Sequence, residues 1–203
     1  PVHLSFDQNV LPYLSMSCWQ LHRDADGVEW LRCFDAFPMR PPEATSGAAA
    51  AAFLRKYGHV VKQVYVYGDA SGNKKDTRQN KTDYEIIKQA LRPMLNNQSD
   101  RTWRQNPAVL RRREWENNIL SGKYPKKRIL IDPSCKEVAA DFHNVKTNAN
   151  GMKLKSVTTG PNGEKYQEWG HFSDTGDYVI TKIWEDDYRR FTGNVLSIVS
   201  SVG

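Results

Sequence analysis

Apolar and polar positions change period along this chain, and the changes mark its elements. His3–Asp7, Tyr13–Leu21 and Trp30–Phe34 are aromatic-rich and partly alternating, and Asp24-Ala-Asp-Gly27 between the last two has turn chemistry. This pattern predicts a meander of three strands. Pro38, Pro41 and Pro42 then break the chain. A helix is expected from about Ser46 to Tyr57, ended by Gly58, its alanine tract favouring helix and close packing on a sheet. Val60–Tyr67 reads as a buried strand stopping at Gly68-Asp69. Thr82-Asp-Tyr-Glu85 is a capping box opening a helix to about Leu95, with Tyr84, Ile87 and Leu91 as its apolar stripe.

Further along, Asn106-Pro107 predicts a helix with proline at its first position. Arg128–Asp132 is a short buried strand, and Ser134-Cys-Lys-Glu137 is a second capping box opening a helix to about Val145. Lys153–Trp169 is expected to form a hairpin with Gly160-Pro-Asn-Gly163 at its tip. A final helix starts near Ser173, against the strand-like propensity of Val179–Trp184. Strands, helix, strand, helices, strand and helix in that order imply an α/β protein with a mixed sheet flanked by helices.

Composition narrows the class. With 203 residues, 39% of them hydrophobic, the chain can bury one sizeable core. No apolar run approaches a membrane span, and the start lacks a signal peptide's basic and apolar regions. The chain opens on Pro1, and the expectation is a fragment of a longer protein. Three widely spaced cysteines, Cys18, Cys33 and Cys135, match neither a disulfide framework nor a paired-cysteine zinc site, and read as reduced packing residues.

Charge adds a partner. Between Arg101 and Arg128 nine basic residues face only Glu114 and Glu116, an excess larger than the +6 of the whole chain. A localised basic run in an otherwise balanced chain suggests a polyanion, although a solvated helix face would look the same. Arg111, Arg112 and Arg113 in this run, the loop cations Lys74, Lys75, Arg78 and Lys81, and Lys153 and Lys155 on the hairpin are the candidate phosphate contacts.

Against this background the acidic residues stand out. Asp7 lies on the first strand and Asp69 at the carboxyl end of the Val-Tyr-Val-Tyr strand, where α/β folds keep ligand-binding groups; each could equally be a turn residue or cap. In His171-Phe-Ser-Asp174-Thr-Gly-Asp177 the two aspartates share a helix face, with His171 one turn before the first; acidic residues at a helix start also suit its dipole. Hard carboxylate oxygens suit magnesium or manganese, and such ions can clamp the attacking and leaving oxygens of a phosphodiester.

Five strings in order carry a resemblance. Tyr67-Gly-Asp-Ala-Ser-Gly72, Thr82-Asp-Tyr84, Asn106-Pro107, Ile131-Asp-Pro-Ser-Cys-Lys136 and His171-Phe-Ser-Asp174 resemble the nuclease domain of tailed-phage terminase large subunits, over nearly the whole span from Ser5 to Trp184. The resemblance implies an RNase H-like fold as one nuclease domain over residues 1–203, with a hairpin insertion before the last catalytic acid. It implies a metal-dependent endonuclease that uses two magnesium or manganese ions to cut concatemeric viral double-stranded DNA during packaging, in the host cell cytoplasm. Asp7, Asp69 and Asp174 match the family's acidic triad and His171 a histidine found beside the third acid in some members; Asp177 is a further candidate ligand. Implied partners are an ATPase domain preceding this one, a small terminase subunit and a portal. The chain departs from a complete packaging motor in having no G-x-x-x-x-G-K-[ST] phosphate loop. Two alternatives stay open: a resolvase- or transposase-type nuclease of the same fold, and a non-catalytic DNA-binding or procapsid-docking module.

Overall fold

The computed structural model describes residues 1–74, 80–154 and 156–201, with backbone alone for 194–201. Strands β1 (Val2–Asp7), β2 (Leu14–Arg23) and β3 (Glu29–Met39) form the expected antiparallel meander. Strand β4 (Val64–Gly68) adds to β1 in parallel, and β5 (Lys127–Ile131) adds to β3 in parallel, giving the order β4-β1-β2-β3-β5. Beyond β4, Asp100 makes a single parallel bridge to Val66.

Central strands in such a sheet are covered on both faces, and β1 shows why the chain can do this. Val2, Leu4 and Phe6 point into one core, together with Ala49, Ala50 and Phe53 of α1 (Ser46–Tyr57) and Tyr84, Ile87 and Leu91 of α2 (Asp83–Leu91). Alternate residues face the second layer, which contains α3 (Val109–Leu120), α4 (Lys136–Asn144), α5 (His171–Ile183) and the start of α6 (Glu185–Ser201). Trp19, Trp115, Phe172 and Val179 form the core there. The polar residues β1 and β2 send into this layer find partners on α5: Ser5 donates to the Thr175 carbonyl and Ser17 to the Thr175 hydroxyl, each at 2.7 Å. Buried hydroxyls are thereby satisfied, and α5 is fixed in register over β1, β2 and β4.

Several boundaries differ from the sequence reading for identifiable reasons. Pro38 lies inside β3, where the outer edge of the strand beyond Cys33 has no strand partner among the described residues and a missing N–H costs no ladder bond. The strand expected from Val60 begins at Val64, after a turn in which Val60 and Val61 donate to the Tyr57 carbonyl. Helix α2 ends at Leu91, and Arg92–Met94 continue it as a 3-10 turn. Helix α3 starts at Val109 and not at Pro107, because the Asn106 side chain accepts from the Ala70 backbone N–H instead of capping a helix. Ser134 does not cap α4 either; its hydroxyl and N–H both turn back to Asp132, which also pairs with Arg32. The Thr82–Glu85 capping box is present as expected.

Between α4 and α5, β6 (Val157–Thr159) and β7 (Lys165–Gln167) form a short hairpin closed at Gly160–Gly163. Lys153 is not part of it, but forms an isolated antiparallel bridge with Thr147. Among the described residues no helix is long and apolar enough to cross a membrane.

Candidate active site at the carboxyl ends of β1 and β4

Two parallel neighbouring strands end in aspartate. The β1–β4 register pairs Phe6 with Gly68, so Asp7 and Asp69 follow side by side at one end of the sheet. Gly68 makes the exit from β4 possible: its φ is +151°, and a Cβ there would collide with the Tyr84 hydroxyl and the Phe6 carbonyl. Immediately after it, the Tyr84 hydroxyl donates to the Asp69 carbonyl at 2.7 Å, tying the loop to α2.

Helix α5 brings the third acid to this end. Its start is fixed from outside: the buried Asp141 carboxylate on α4 accepts from the Gly170 N–H and the Ser173 N–H, each at 2.7 Å. These are N–H groups a helix start cannot satisfy internally, which explains why α5 begins at His171, ahead of the expected Ser173. His171 thereby faces Asp7, with Nδ1 3.1 Å from Asp7 Oδ2 and Nε2 2.9 Å from the Gln167 carbonyl. Burial works against a charged ring, but Asp7 and the Gln167 carbonyl outweigh it and hold the imidazole's pKa above its ordinary value. Asn9 spans the pair, donating to Asp7 at 3.0 Å and lying 3.4 Å from His171 Nδ1.

Asp69 is held by groups the sequence reading did not single out. The Tyr178 hydroxyl donates to its Oδ2 and the Ser71 N–H to its Oδ1, both at 2.6 Å. Burial would raise the Asp69 pKa, yet these two donors hold it below the usual carboxylate range, so the group is an anion at neutral pH. A signal for Tyr178 existed: it lies seven residues after His171 and four after Asp174, on one helical face. Asp69, Asp174 and Tyr178 line one cleft of about 450 Å³ with Asn106, Arg112 and Lys153.

Asp174 and Asp177 have a different neighbour. Lys153 Nζ is 2.7 Å from Asp174 Oδ1, 2.9 Å from Asp177 Oδ2 and 2.9 Å from the Ser173 hydroxyl. The Asp177 side chain is fully buried and also lies 3.7 Å from Arg112. Arg112 is itself buried, its guanidinium 4.8 Å from the centre of the Tyr178 ring. Glu116 is buried beside them, and its burial followed by the Asp177 charge pushes its pKa well above the usual value.

Of the candidate phosphate contacts, then, Arg112 and Lys153 are turned into the protein and paired. Arg111 is partly exposed and bonded to Glu114, Arg113 is half-buried, and Lys74 and Lys81 are exposed near the Asp69 loop and the start of α2. Lys75, Arg78 and Lys155 lie outside the described residues. A larger groove of about 630 Å³ opens at the opposite end of the sheet, but its charges are largely paired among themselves, as in Arg23–Glu29, Lys127–Asp187 and Lys182–Glu185.

The donor chemistry at the β1 and β4 ends fits one hard divalent cation: two adjacent aspartates, with the cleft-lining Asp174 within the same end of the fold. It does not fit a second ion on Asp174 and Asp177, whose carboxylates already hold an ammonium. Among the described residues no three His, Cys, Asp or Glu side chains converge tightly enough to form a metal cluster as they stand.

The fold is thus a mixed five-stranded α/β sheet with helices on both faces, the class that the RNase H-like expectation names. Among solved structures the chain is similar to the nuclease domain of the P22 large terminase, with 13% identity, a TM-score of 0.45, and coverage of 76% of this chain and 72% of that one. No protein-family model and no curated protein matches the chain.

Proposed function

We propose that this chain is a divalent-metal-dependent endonuclease domain acting on double-stranded DNA, of the kind that cuts concatemeric viral genomes during packaging. The observation that carries the reading is the placing of Asp7 and Asp69 on adjacent parallel strand ends, under the helix that carries His171 and Asp174. Asp7 and Asp69 would hold the ion, with Asp174 at its flank; a bound magnesium or manganese would polarise the phosphate and lower the pKa of a water.

The protein's own groups do the remainder. Tyr178 and Ser71 keep Asp69 ionised and aimed. His171 and Asn9 hold the Asp7 carboxylate in place by direct contact, which makes His171 a positioning residue with both ring nitrogens engaged. Lys74, just after the turn that follows Asp69, and Lys81, just before α2, are exposed and would meet DNA phosphates without reading sequence. Within a packaging machine the domain would work beside an ATPase domain, a small terminase subunit and a portal in the host cytoplasm.

Incubation with linear plasmid DNA tests the reading: cleavage is expected with magnesium or manganese and none with a chelator. Preference for four-way junctions over linear duplex would favour the resolvase-type alternative. Binding of DNA with no cleavage under any metal would leave only a docking module.

A further inference from the structure

The cation that the acidic face of α5 needs is already built into the chain. Lys153 approaches from the segment between α4 and the hairpin, and its Nζ is buried against α5. An ammonium has three hydrogens to place: two go to the Ser173 hydroxyl and Asp174, and the Asp177 carboxylate lies 2.9 Å away as an ion pair. This is a held cation, unlike a surface lysine sampling solvent. Asp177 holds it there. Its carboxylate has no solvent exposure, and with Lys153 withdrawn the cation left beside it among the described residues would be Arg112, 3.7 Å away. Leaving a buried carboxylate so poorly compensated is costly, so the lysine is not readily displaced.

Resting on the nuclease reading above, we propose that Lys153 is the second cation of this active site: the chain binds one divalent ion, at Asp7 and Asp69, and the Lys153 ammonium holds Asp174 and Asp177 in place of the second ion that the resemblance implies. Lys153 lines the same cleft as Asp69 and Asp174, so its charge sits beside the space a phosphodiester would enter. Asp177 is then not a metal ligand but the anchor that aims the lysine. A fixed ammonium contributes charge without a metal's exacting geometry, and makes the site's total positive charge less dependent on metal concentration.

Counting manganese ions bound per chain, by paramagnetic resonance titration with and without a short phosphorothioate duplex, tests this directly. The parent protein is expected to bind one ion in both conditions. Lys153→Met, whose side chain has similar length and no charge, is expected to bind two, and Lys153→Arg one. Two ions in the parent would overturn the inference while leaving the nuclease reading intact. No ion in either condition would overturn the nuclease reading, and the inference with it. A folded Lys153→Met that still binds one ion would also overturn the inference. Should that variant fail to fold, the count on the parent protein decides alone.

Discussion

Tyr178 donates its phenolic hydrogen to Asp69 Oδ2 at 2.6 Å, joining α5 to the end of β4 across 109 residues of sequence. The hydroxyl does two things at once: it stabilises the ionised carboxylate, and it fixes the rotamer in which that carboxylate faces the cleft. Tyr178→Phe keeps the ring on which Arg112 rests and deletes only this bond. A loss of about 1.5–3 kcal/mol in stability is expected, as for a hydrogen bond to a charged group. The apparent affinity for manganese should fall as Asp69 loses its aim. Calorimetric titration of the variant checks this; unchanged affinity would mean that Asp69 needs no such support.

Asp141 is the cap of α5, supplied by another helix. Its two oxygens hold Gly170 and Ser173, the residues flanking His171, so it sets where the helix and therefore His171 and Asp174 stand. Asp141→Ala would leave two buried N–H groups without partners, at about 1–3 kcal/mol each before relaxation. The expected outcome is a clear fall in melting temperature and faster amide exchange at Gly170 and Ser173. Asp141→Asn, which can accept only one of the two bonds well, should fall between the parent and the alanine variant.

A pH effect arises far from the cleft. His3 is buried in β1, with Nδ1 2.7 Å from the Tyr67 hydroxyl and the ring stacked on Tyr65. Burial above all, helped by Arg101, lowers its pKa from 6.5 to about 4. The unfolded chain therefore binds a proton that the folded chain refuses between these values, and stability falls as pH drops from about 6.5 towards 4. The group's contribution over that window is on the order of 3 kcal/mol. Denaturation midpoints at several pH values, for the parent and His3→Phe, should show a shallower acid slope in the variant. Equal slopes would remove His3 as the cause.

Much of the fold was legible because its signals are local. The alternation in β1, the Thr82–Glu85 box and the Gly160–Gly163 tip each depend on residues close in sequence. The errors share a different cause. Asn106 and Ser134 have capping chemistry but spend their side chains on Ala70 and Asp132, and α5 takes its cap from Asp141, some thirty residues earlier. No local pattern announces such partners. The candidate site divides in the same way. Asp7 and Asp69 were visible from their places at strand ends, whereas Lys153 and Arg112 read as surface cations because charge in a sequence reads as exposure. Only the packing of α3 and α5 shows them buried against Asp177. Tyr178 is legible from helical spacing, one turn further along the face that carries His171 and Asp174.

The account's central claim is that Asp7 and Asp69 are ligands of a catalytic ion and not turn or capping residues. The measurement that tests it most directly is the cleavage rate of linear double-stranded DNA in manganese for the parent, Asp7→Asn and Asp69→Asn, alongside their melting temperatures without metal. Each substitution keeps shape but removes a charge and one accepting oxygen, so a loss of about 1–3 kcal/mol is expected and the melting temperatures establish that the variants stay folded. Cleavage by either variant should fall by orders of magnitude, and chelation should abolish it in the parent. Undiminished cleavage in both variants, or cleavage by the parent that survives chelation, would contradict the claim.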